Sequence, residues 1–139
     1  MKPASERRML QVAITIACIV PIATGADGVL RGAALLRGMP RPVPPDVDSH
    51  FRYLSGVFLI VGLAFASCVA GIESKGARFR LLGAMVLTGG AARLASVLIA
   101  GWPSWPHRFG LAMELGVVPL LMLWQARVAR QSASVQFDA

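Results

Sequence analysis

Charge is what this chain has least of. Charged residues fill 15% of its 139 positions, against about 25% in ordinary soluble domains. Apolar residues fill 55%, a balance that excludes a disordered chain and reads as a membrane protein. Acidic residues are scarcer than basic ones, seven against fourteen, so the formal net charge is +7. In a soluble domain that surplus would suggest a nucleic-acid partner. Here the cations stand in short groups beside apolar runs: Arg7 and Arg8; Lys75, Arg78 and Arg80; Arg127 and Arg130. Aromatics amount to 7% and do not interleave with these groups. The pattern argues for membrane-edge anchoring and against nucleic acid. Only two cysteines are present, Cys18 and Cys68, each within an apolar run. That excludes a disulfide framework and shows no metal spacing, and both read as small buried hydrophobes. Histidine is equally sparse. His50 and His107 have no carboxylate–histidine motif beside them, so no metal or haem set is indicated.

What the chain does have is four long apolar runs, over residues 9–25, 53–72, 79–100 and 109–125. A spanning helix needs about 20 apolar residues, with a working range of about 17–25. The runs therefore predict an all-α, antiparallel four-helix transmembrane bundle, built as a single membrane domain over 1–139 with one substantial loop over 26–52. The first run has a competing reading as a secretory signal. Lys2, Arg7 and Arg8 precede it, and Ala23-Thr24-Gly25 offers small residues for cleavage. A retained first helix is favoured because it leaves an even bundle.

Four spans put the N-terminus, the 73–78 loop and the C-terminus on one side. Eight Lys and Arg fall there, against five on the other side with Asp27, Asp46 and Asp48. The positive-inside rule then places both termini in the cytoplasm. Within the 26–52 loop, Gly28–Gly38 reads as an interfacial helix or an extension of the first span, and Met39–Pro45 as an extended proline-rich connector. Asp48 and Ser49 stand where the N-cap of the second helix belongs. Small residues every fourth position, Ala84, Thr88, Ala92, Ser96 and Ala100, predict the packing face of the third helix. Gly62, Ala66 and Ala70 do the same for the second.

Two charges lie inside the apolar runs, Arg93 in the third and Glu114 in the fourth. A charge at membrane depth costs about 2.5–3.5 kcal/mol on insertion scales, so it needs a partner or a task. Counting at 1.5 Å per residue puts Arg93 about 10 Å and Glu114 roughly 8 Å below the outer edge. They read as a buried ion pair that orders the helices. Equally, they read as a polar pocket in which Arg93 holds an anionic group and Glu114 a proton. Asp48, His50, Arg52 and Tyr53, at the start of the second helix, are expected to fold toward them and complete one outer-half cluster. The bland reading of Asp48 and Arg52 is an i, i+4 ion pair. Gly89 and Gly90 remove bulk one turn before Arg93, chiefly for packing. Pro119 deprives the Leu115 carbonyl of its helical donor beside Glu114.

The segment Asp48-Ser49-His50-Phe51-Arg52-Tyr53-Leu54-Ser55-Gly56 resembles the most distinctive stretch of a bacterial membrane family catalogued as domain of unknown function 4345. Gly89-Gly90-Ala91-Ala92-Arg93-Leu94 and Glu114-Leu115 followed by Pro119 resemble its other two motifs, in the same order along residues 8 to 130. The resemblance implies four spans, a bacterial inner membrane, and polar residues at the positions singled out above; it implies no reaction. The function expected is a small membrane protein, an accessory subunit or homo-oligomer among the options, whose outer-half pocket binds a small or lipid-like ligand among the membrane lipids. Candidate ligand-binding residues are Asp48, His50, Arg52, Tyr53, Arg93 and Glu114. Two alternatives stay open: an enzyme acting on a quinone- or isoprenoid-like substrate, with Glu114 or His50 as acid–base group, and a small proton-coupled transporter.

Overall fold

The computed structural model describes residues 3–137, all helix and connecting turns with no strand among them. Helix α1 covers Pro3–Arg31 and runs into a 3-10 turn at Gly32–Leu35. Helix α2 covers Pro45–Val69, α3 Gly76–Ala100 and α4 Trp105–Ala112. A π-helical turn at Met113–Val117 then leads into α5, Val118–Phe137. Four stretches are long and apolar enough to cross a membrane: Ala4–Leu35, Pro45–Val69, Gly76–Ala100 and Trp105–Ser134. The chain is a multi-pass membrane protein.

Each helix begins and ends for a local reason. Gly32, at φ +63°, takes the left-handed conformation that stops α1. Pro45 opens α2, where its fixed φ fits and its missing N–H is no loss. Asp48 therefore lies inside the first turn of α2, not at its N-cap; its own N–H donates to the Pro44 carbonyl at 3.1 Å. The residues 28–31 prolong α1 rather than forming a separate interfacial helix. Gly101, at φ +87°, ends α3, its N–H bonded to the Val97 carbonyl. Four residues later α4 opens with Pro106 in its first turn, earlier than the apolar run at 109 suggests.

Two compact units divide the chain: Val12–Val69, and the N-terminal turn up to Gln11 with Ala70 onward. In the Val12–Val69 unit α1 and α2 run antiparallel at close range. A Cβ added at Gly25 would stand 2.7 Å from the Leu59 nitrogen, one at Gly28 would strike Ser55 and Phe51, and one at Gly62 would stand 3.2 Å from Pro21 and Ile22. Only glycine allows this approach. Lipid offers helices no hydrophobic reason to associate, so such contact is what joins them.

The other unit packs α3 against α5 through a second glycine series, spaced by seven rather than four. Gly76 meets Gln125, Gly83 meets Met122, and Gly90 meets Glu114 and Leu115. The fourfold stripe expected to be a packing face of this helix, Ala84, Thr88, Ala92, Ser96 and Ala100, is exposed instead. The reason is geometric. A helix packed nearly antiparallel presents the same face every two turns, about seven residues, and a strict fourfold series drifts off that seam. At the end of this unit where the start of α1 meets α5, Glu6 is buried, pairs with Arg127 Nε at 3.0 Å and accepts from Gln131 Nε2 at 3.2 Å. Arg7 pairs with Glu73 at 3.0 Å, and buried Gln125 donates to the Ile72 carbonyl at 3.0 Å.

Candidate functional site

The six candidate residues fall into two groups, one in each unit. Arg93, on the glycine face of α3, and Glu114, in the π-helical turn, meet in a bidentate pair. Arg93 Nε reaches Glu114 Oε2 at 2.9 Å, and Arg93 Nη2 reaches Oε1 at 2.9 Å. Such a fork is the strong form of an ion pair, because two parallel charge-assisted hydrogen bonds share one plane. Gly90 admits the Glu114 Cβ, and the guanidinium lies 3.7 Å from where a Cβ on Gly110 would be. Gly89 contributes nothing to this contact, for the space beside it is open.

The pair is closed on the carboxylate side and open on the other. The Glu114 side chain is 11% exposed and the Arg93 side chain 31%. Of the five N–H groups of a guanidinium, two are used. The remaining three have no protein acceptor among the described residues.

The backbone beside Glu114 is also unfinished. Val118 N–H, the ordinary α-helical donor for the Glu114 carbonyl, is committed to Met113. Pro119, the donor in π spacing, has no N–H to give. So the carbonyl left short by Pro119 includes that of Glu114 itself as well as Leu115. Single π-helical turns of this kind recur at functional sites.

Asp48 and Arg52 form the second group, and their chemistry is spent on the fold. Asp48 Oδ2 accepts from Arg52 Nε at 2.7 Å, and Oδ1 accepts from the Ala33 N–H at 2.8 Å. Arg52 Nη1 donates to the carbonyls of Val29 at 2.6 Å and Leu30 at 3.0 Å. The i, i+4 pair is thus present, and it does more than the bland reading allowed. It places a cation on the negative end of α1 and ties off carbonyls that the helix leaves unbonded. Gly32 sits against Asp48 and Arg52, where a side chain could not fit. No sequence signal points to this cross-helix cap, because its acceptors are backbone atoms.

His50 and Tyr53 do not join either network. Tyr53 is 68% exposed. His50 is exposed too, and with Leu36, Asp46, Val47, Phe51 and Leu54 it lines a shallow, largely apolar groove of about 510 Å³. In the first turn of α4 His107 reaches back to Ser104 at 3.1 Å and Arg108 lies over the Trp102 ring.

Comparison with known proteins adds one match. The model of a family described as "Domain of unknown function (DUF4345)" matches residues 9–125. No curated protein and no solved structure matches the chain.

Proposed function

The chain belongs to the DUF4345 family, and we propose that it is a membrane protein whose Arg93–Glu114 pair forms the polar floor of a ligand site in the outer half of the bilayer. The observation that carries this reading is the set of three Arg93 N–H groups without a protein acceptor, on a side chain nearly a third exposed. Water satisfies such donors in a soluble protein, but a bilayer core offers none, and each unmet group there costs several kcal/mol. An acceptor brought by a ligand relieves that cost. The Glu114 carbonyl asks for the opposite partner, a donor. The ligand chemistry that suits both is an amphipathic molecule carrying an acceptor-rich or anionic group together with an O–H or N–H.

In this reading Glu114 orients the guanidinium, and Asp48 with Arg52 holds the α1–α2 hairpin in shape rather than touching the ligand. His50 and Tyr53, with no hydrogen-bond or ion-pair partner among the described residues, remain candidates in their own unit. The test compares organic extracts of the purified wild type and the Arg93→Met/Glu114→Gln double variant by mass spectrometry. The double variant is chosen because it strands no charge. A species near one copy per chain in the wild type and missing from the variant is expected. Identical extracts overturn the reading.

A further inference from the structure

A second site lies at the end of the Ala70-onward unit where Glu6 meets α5, its α5 residues about two to four helical turns beyond Glu114. A groove of about 620 Å³ opens there, lined by Glu6, Leu123, Trp124 and Arg127. We propose that it binds one anionic phospholipid, with the headgroup phosphate on Arg127 and an acyl chain along Leu123.

The lining argues for this chemistry atom by atom. Glu6 is 4% exposed, holds Arg127 Nε in an ion pair at 3.0 Å and accepts from Gln131 Nε2. Its role is to hold the guanidinium, not to meet a ligand. Arg127, its side chain 64% exposed, keeps both Nη groups free of protein acceptors among the described residues. Trp124 lines the groove beside it. What the groove offers an incoming anion is therefore a planar cation for a phosphate, with the amphipathic Trp124 ring beside it. The orphan acceptors of this unit among the described residues, Glu73 Oε2, Gln125 Oε1 and Gln131 Oε1, are closed off from the surface. Leu123, 68% exposed, supplies the apolar wall.

The surroundings share the sign. Among the described residues this end carries Arg7, Arg8, Lys75, Arg78, Arg80, Arg127 and Arg130 against only Glu6 and Glu73. A cation cluster at a membrane edge draws anionic headgroups to the surface. The groove gives that diffuse attraction a fixed address.

The experiment uses Trp124 as its own reporter. In the full chain carrying Trp102→Phe and Trp105→Phe, Trp124 is the one tryptophan left. It is reconstituted in nanodiscs containing phosphatidylcholine and a small fraction of phosphatidylglycerol with brominated acyl chains, which quench indole on contact. The mirror mixture carries the bromine on phosphatidylcholine. The expected result is stronger quenching by brominated phosphatidylglycerol at equal fraction. The preference falls about tenfold, one charge-assisted contact, in the Glu6→Gln/Arg127→Gln variant, where no buried charge is stranded. It survives Arg130→Gln, which removes a cation of the same end outside the groove. Equal quenching in the two mixtures overturns the proposal. So does an equal loss on Arg130→Gln, which reports diffuse attraction alone. So does abolition of the preference by inorganic phosphate beyond matched chloride, which reports a small-anion site.

Discussion

At the scale of single residues, the pairing of Arg93 with Glu114 was legible because both are misfits. A charge within an apolar run stands out, and equal depth is a matter of counting residues from the membrane edge. The knot around Asp48 and Arg52 was half legible: the i, i+4 spacing is visible, but the carbonyls of Val29 and Leu30 are not. The Arg93–Glu114 pair has a measurable consequence. Removing one member of a buried ion pair strands the other and costs about 3–5 kcal/mol. Glu114→Gln and Arg93→Met should each lower the melting temperature in detergent, and the double variant should regain part of the loss. A thermal-shift double-mutant cycle measures this, and strictly additive losses would count against direct pairing.

At the scale of helices, existence was easy to read and the contact faces were not. Apolar runs announce spans through their length, since the bilayer sets it. Which small residues meet a neighbour depends on how the neighbour lies, and that is tertiary information. Hence the fourfold stripe on α3 is exposed, while Gly76 and Gly83 meet α5 and Gly90 meets the π-helical turn. Adjacent glycines make the point testable. A Cβ on Gly90 would stand 2.8 Å from Leu115 Cδ2 and 2.9 Å from Glu114 Cβ, whereas one on Gly89 meets nothing. Gly90→Ala should destabilise by about 1–3 kcal/mol, the usual cost of overpacking. Gly89→Ala should be neutral or mildly stabilising, because alanine is the better helix former. Comparing the melting temperatures of the two variants is sufficient, and equal shifts would remove the glycine seam from the account. The π-helical turn was also out of reach of the sequence. Pro119 marks a missing donor, but it does not say whether the helix kinks or takes in an extra residue.

At the scale of the whole molecule, four spans require the C-terminus and the 39–47 connector to lie on opposite sides of the membrane. Reporter fusions at the two positions should therefore give opposite readings; matching readings would break the four-span topology. The central claim is narrower: an intramembrane ion pair that satisfies itself on one side only, with three Arg93 N–H groups and the Glu114 carbonyl left for something else. An electron-density or cryo-EM map of the protein in a lipid nanodisc, sharp enough to place side chains, tests it most directly. The account predicts an ordered non-protein density within hydrogen-bond distance of Arg93 Nη1, reaching the Glu114 carbonyl, and its disappearance in the Arg93→Met/Glu114→Gln variant. A map in which protein acceptors fill every Arg93 N–H, with no such density beside the pair, would contradict it.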